Sequence, residues 1–214
     1  METAITIIFQ LIILIFSVVI HEVSHGLAAN ALGDPTAKYA GRLTLDPLKH
    51  LDPVGSFIVP LASFLLGGFI VGWAKPVPYN PYNLKVKNQD FGSAIVGVAG
   101  PAANIAIALV FGFLIRGAGY WSKVLGAGST PLLEVMAYIV LINIVLAIFN
   151  LMPIPPLDGS KVLFALLPER WIGLRLFLER FGFALLLLFI FYLSGSVLPG
   201  IVGPIFRFFT GLGF

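Results

Sequence analysis

The stretch SVVIHEVSHGLAAN, Ser17 to Asn30, sets two histidines and a glutamate directly behind a run of apolar residues. The run before it, Thr3 to Ile20, carries no charge and is close to the roughly 18 to 20 residues that a membrane-spanning helix needs. Ionisable side chains at membrane depth cost about 2.5 to 3.5 kcal/mol each on insertion scales and normally face a protein interior or serve a function. HEVSH is His-Glu-x-x-His, and on a helix four residues advance about 400° and 6 Å. His21 and His25 therefore share a face and can reach one metal ion, with Glu22 about 100° round, placed to take a proton from water beside it.

The rest of the chain fits a membrane setting. Of 214 residues, 58% are hydrophobic and 11% charged, against about 25% charged in soluble proteins. Further uncharged or nearly uncharged runs cover Pro53 to Ala74, Phe91 to Ile115, Val135 to Leu157 and Phe181 to Phe206. The expectation is an all-α membrane protein, a polytopic helical bundle with short membrane-associated β-strand or loop segments. It is read as a single domain over 1–214, with a core over about 10–168 and C-terminal helices over 169–214. The first run starts with Glu2, not Lys or Arg, and no small-residue cleavage site follows, so it reads as retained and not as a signal peptide.

Composition also excludes. Without cysteine there are no disulfides and no thiolate ligands, so any metal is held by His, Asp or Glu. A net charge of +3 with cations at segment ends offers no basic face for nucleic acid. Oligomeric state is not legible.

Two polar intervals separate the first three hydrophobic runs. In DPTAKYAGRLTLDPLKHLD, Asp34 to Asp52, turn formers flank an alternating Tyr39 to Leu45 that suggests a strand or hairpin. KPVPYNPYNLKVKNQD, Lys75 to Asp90, has three prolines and cannot be helical throughout. The run between them is interrupted by Pro60, Gly67 and Gly68. If it crossed fully, Lys38, Arg42, Lys49, Arg116 and Lys123 would oppose Lys75, Lys85, Lys87, Lys161, Arg170, Arg175 and Arg180, a split that does not orient the chain. If it re-enters, only Arg116, Lys123 and Arg207 lie on the outer side, which accords with the tendency of cations to stay cytoplasmic. The re-entrant reading is preferred, with both polar intervals in the cytoplasm.

A catalytic zinc normally has three protein ligands and one open position, so a third is needed. Asp158, in FNLMPIPPLDGSK, is the only acid between Glu134 and Glu169. Pro153, Pro155 and Pro156 break the preceding helix and free backbone groups that lipid cannot satisfy, so the stretch should line a cavity or pack inside protein. The competing role for Asp158 is a helix N-cap, which PPLDGSK would also suit. Asn150 is suited to hold a peptide backbone or stabilise an oxyanion. His50 reads as a loop residue framed by Pro47 and Pro53. Lys161, Arg170, Arg175 and Arg180 read as headgroup-level cations.

HEVSH, AGPAAN (Ala99 to Asn104) and NLMPIPPLDG (Asn150 to Gly159), in that order, resemble the site-2 protease family of intramembrane zinc metalloproteases. The absence of a PDZ domain is similar to its compact bacterial and archaeal branch. The resemblance implies one Zn2+ per chain, with His21, His25 and Asp158 matching the ligands and Glu22 the catalytic glutamate. It implies cleavage of the transmembrane helix of another protein in the cell membrane, from an active site toward the cytoplasmic side. GWAKPVPYN, Gly72 to Asn80, is similar to the family's membrane-associated strand region, which would present an edge to unwound substrate. Asn104, in the Gly-Pro-x-x-Asn motif, can bond across to the zinc helix or to substrate, and small neighbours from Gly97 to Ala103 allow helices close approach. Two rivals use the same residues: a metal transporter, and a catalytically silent binder of membrane proteins.

Overall fold

In the computed structural model, which describes residues 2–52, 54–58, 74–117 and 129–213, the first apolar run and HEVSH form one continuous helix. This is α1, Glu2–Ala31, of 30 residues. At about 1.5 Å per residue it is roughly 45 Å long, more than the ~30 Å hydrocarbon core requires, so the motif stands inside a helix that continues past the apolar run. Gly33 ends it at φ +102°, and the Asp34 N–H reaches back to Ala29 O at 2.9 Å.

The two further long helices are α3, Gln89–Arg116, and α4, Ser129–Asn150. Asn88 caps α3 by accepting from the Phe91 N–H at 3.0 Å. A proline-rich turn follows α4 and leads into α5, Gly159–Leu166, then α6, Ile172–Leu188, and α7, Ser194–Thr210. A single turn, α2, Thr36–Tyr39, follows α1. Stretches Ile5–Ala31, Gln89–Arg116 and Pro131–Asn150 are long and apolar enough to cross a membrane. The chain is an all-α membrane protein.

The last expected span, Phe181 to Phe206, is not one straight helix: Glu169–Tyr192 and Gly195–Thr210 meet at 77°. Pro199 and Pro204 lie in the second arm, in a sequence that also has Gly195 and Gly200. The interrupted run, Pro53 to Ala74, lies almost wholly outside the described residues.

The strands expected beside the membrane do not form among the described residues. Between Tyr39 and Leu45 the alternation is overridden. Thr36–Tyr39 is helical, Gly41 turns the chain at φ +66°, and Arg42 is buried with its guanidinium on Lys75 O at 2.6 Å. The described part of the second stretch, 74–80, has no regular structure, and Pro76 and Pro78 lack the N–H groups a ladder needs.

Inside a bilayer, apolar side chains gain little by meeting each other instead of lipid, so helix association depends on close packing and polar contacts. Buried Ala108 and Ile115 of α3, Val140 and Ile144 of α4, and Val202 and Phe206 of α7 form one cluster. Gly92, Gly97 and Gly100 are buried on α3. In the first half of α1, Ile5, Ile7, Ile8, Phe9 and Leu11 all stay exposed, so apolar side chains meet the surroundings on every side of this part of the helix.

Candidate metal centre

Three ligand-type side chains from three places in the chain converge where α1, α3 and the start of α5 meet. His21 Nε2 and His25 Nε2 are 3.0 Å apart, and Asp158 Oδ2 lies 3.1 Å from the first and 3.0 Å from the second. All three residues are buried. They are also a group of the kind that could hold a metal ion.

The outer nitrogens decide what this triangle can be. His21 Nδ1 donates to Asn104 Oδ1 at 2.6 Å, and His25 Nδ1 donates to Val96 O at 2.7 Å. A carbonyl oxygen only accepts, so each neutral ring carries its proton on Nδ1 and turns a lone pair inward. Two imidazole lone pairs and a carboxylate oxygen then face one another, and they repel unless a positive charge lies between them. The donor set and its outer bonds suit a histidine pair that could hold a metal. Space fits as well: a Cβ on Gly100 would stand 2.5 Å from His25 Nε2 and 2.7 Å from His21 Nε2, so this cradle exists because residue 100 has no side chain.

Asp158 stands at the N-cap position of α5, yet its side chain makes no capping bond. Its Oδ1 instead accepts from Lys161 Nζ at 2.9 Å. The Lys161 ammonium beside it favours the ionised carboxylate. Gly159 makes the turn possible, since a Cβ there would lie 2.1 Å from Leu151 O.

Glu22 is half-buried, and its Oε2 accepts the Val77 N–H at 2.8 Å. Asn104 is fully buried and faces His21. Asn150 is half-buried, and its Nδ2 donates to Leu146 O in its own helix at 3.0 Å. His50 is buried in the loop, with Nε2 on Thr44 O at 2.9 Å.

Three participants escaped sequence reasoning. Lys161, expected at headgroup level, is instead ion-paired to Asp158; its place three residues further along a helix start was the available signal. Val77 contributes a backbone group, which no side-chain pattern announces. Asn143, fully buried, bonds to Asn104 at 2.7 Å; a lone amide in the apolar run LINIVL was its signal.

Comparison with known proteins identifies the family. The family profile described as Peptidase family M50 matches residues 120–189, which include Asp158. Over 192 residues the chain is 37% identical to the Bacillus subtilis protein named "Putative zinc metalloprotease YwhC", covering 89% of this chain and 84% of that one. It is 31% identical over 149 residues to "Putative zinc metalloprotease Rip2" of Mycolicibacterium smegmatis, covering 70% of this chain and 53% of that one. The Mycobacterium tuberculosis H37Rv protein of the same name is 27% identical over 147 residues, covering 69% of this chain and 52% of that one. No solved structure matches the chain significantly. With more than a third of its residues shared over most of both chains with YwhC, this chain belongs to peptidase family M50.

Proposed function

We propose that this zinc-dependent peptidase hydrolyses peptide bonds within or near the transmembrane helices of other membrane proteins. The observation that carries the reading is the inward-facing triangle of His21, His25 and Asp158, with Glu22 next to His21 on the same helix. His21, His25 and Asp158 would hold the zinc. When bound there, zinc supplies Lewis acidity to the scissile carbonyl and acidifies water toward neutral pKa.

The protein groups do the rest. Glu22 takes a proton from the attacking water on a carboxylate oxygen and delivers it to the departing amide nitrogen as the C–N bond breaks. The Val77 N–H, on Oε2, orients that carboxylate. Asn104 keeps the His21 ring turned inward. Asn150 sits at the end of α4, just before the turn that delivers Asp158, and is assigned to peptide or oxyanion contact.

Burial of the triangle favours a substrate presented as extended chain, because a helical peptide bond is shielded by its own turn. The distribution of cations along the sequence supports an active site toward the cytoplasmic side of the cell membrane. Residues 1–214 act as one membrane domain, with chemistry in the core over about 10–168 and the helices of 169–214 packed beside it.

The test is cleavage of a panel of single-span proteins by the purified chain in detergent, with and without chelator. Glu22→Gln should retain one zinc and lose cleavage. Cleavage at the wild-type rate by that variant would refute the assignment, and zinc binding with no cleavage by either form would favour a carrier or a silent binder.

A further inference from the structure

We propose that Asn143 is a positioning residue for the metal centre: through Asn104 it determines which ring nitrogen of His21 carries the proton. The proposal rests on reading His21 as a metal ligand. Asn143 lies on α4 and is fully buried.

The argument follows hydrogen-bond polarity outward from the ring. His21 Nδ1 can donate to Asn104 only while the amide oxygen faces it, at 2.6 Å. An amide is two-ended, and rotated by 180° it would present NH2 to Nδ1. That nitrogen would then have to accept, and the ring proton would move to Nε2, the edge facing His25 and Asp158. A protonated Nε2 has no lone pair for a metal.

Two bonds oppose the rotation, one from Ser17 O of α1, long at 3.3 Å, and a shorter one set on α4. Asn143 Nδ2 donates to the backbone carbonyl of Ile139 at 2.9 Å, and to Ser17 Oγ at 2.9 Å. A backbone carbonyl can only accept, so this bond fixes the Asn143 amide with Oδ1 toward Asn104. Oδ1 in turn accepts from Asn104 Nδ2 at 2.7 Å, and the same Nδ2 also reaches Ser17 O at 3.3 Å. The chain of bonds therefore runs one way, from Ile139 O through two amides to His21. His25 receives the equivalent instruction directly from Val96 O. One ligand is oriented by a backbone carbonyl beside it, and the other through Asn104, whose shorter restraint, at 2.7 Å against 3.3 Å from Ser17 O, comes from Asn143.

The competing role for Asn143 is only to join helices α1, α3 and α4, and the test separates the two. Zinc affinity is measured by chelator competition on the purified chain in detergent for wild type, Asn143→Leu, Asn143→Asp and His25→Ala, together with thermal stability. Asn143→Leu should weaken zinc by about 10–100-fold, the usual cost of losing an outer-shell partner, while Asn143→Asp stays within about threefold of wild type. The aspartate can accept from Asn104 and, protonated in the apolar interior, donate to Ile139 O. Histidine 15N spectra of the zinc-loaded chain should show the His21 proton on Nδ1 in wild type and in Asn143→Asp, and a mixed population in Asn143→Leu.

Unchanged zinc affinity in Asn143→Leu, or equal losses in both Asn143 variants, overturns the proposal. If Asn143→Leu does not fold, the wild-type 15N spectrum decides, and a His21 proton on Nε2 overturns it. If wild type binds no zinc, or His25→Ala binds it as tightly, the metal reading itself fails and this inference falls with it.

Discussion

The Val77 N–H donates to Glu22 Oε2 at 2.8 Å, joining the loop after the undescribed segment to the helix that carries HEVSH. Pro76 and Pro78 flank Val77, so it holds the only backbone N–H between Lys75 and Tyr79. The loop is pinned on both sides, by the Lys75 N–H on His50 O at 2.9 Å and the Asn80 N–H on Asp34 Oδ2 at 2.7 Å. Replacing Val77 with proline removes the donor. Hydrogen bonds to charged groups contribute about 1.5–3 kcal/mol, so kcat should fall by roughly 10–100-fold with zinc content unchanged. Loss of zinc in parallel with kcat would show that the loop shapes the metal centre and not the glutamate.

Gly100→Ala should be far more damaging than an ordinary glycine-to-alanine change in a helix. The added Cβ would stand 2.5 Å from His25 Nε2, inside the space between the histidines. Metal analysis of the purified variant should find well under one zinc per chain, and proteolysis should be undetectable. Gly173→Ala, where nothing lies within 4 Å, is the control and should behave as wild type.

Asp158→Asn separates the ligand role from the capping role. Since the carboxylate makes no cap bond, the folded helix α5 should lose little, on the order of 1 kcal/mol in thermal or denaturant unfolding of the metal-free chain. Zinc retention should collapse, because the anionic ligand is gone. A large loss of metal-free stability with zinc still bound would return Asp158 to the capping role.

Asp34 supplies a pH signature away from the metal. It is fully buried and accepts from the backbone and hydroxyl of Thr36, the Asn80 N–H and the Asn83 side chain. Burial would raise its carboxyl, but those donors outweigh it and lower it below its ordinary value of 3.8. A depressed carboxyl stabilises the fold above the unfolded-state value and loses that stabilisation as pH falls through the folded one. Asp34→Asn should therefore cost about 1–3 kcal/mol at pH 7, with the gap to wild type closing below about pH 4. A gap that stays constant from pH 7 to pH 3 would contradict this.

Much of the site was legible because the chemistry requires few residue types. His21 and His25 are four apart on a helix that its own apolar run dictates, so their shared face follows from helical geometry alone. Asp158 was legible by elimination, being the only acid in a long apolar stretch, although the same residues also spelled a helix cap. The strand expected over Tyr39 to Leu45 failed for a physical reason: alternation is a weak local signal, and Arg42 is drawn inward to a carbonyl while Gly41 turns the backbone.

The sequence by itself determined that this chain is helical, lies in a membrane and carries a His-Glu-x-x-His face, because composition and period act over neighbouring residues. Only the tertiary structure decided that Asp158 turns toward the histidines and not toward its own helix, that Lys161 neutralises its second oxygen, and that Asn104 and Asn143 orient His21. Apart from the Lys161–Asp158 pair, those are matters of hydrogen-bond direction between residues 39 to 137 positions apart, and direction is fixed only when the helices meet.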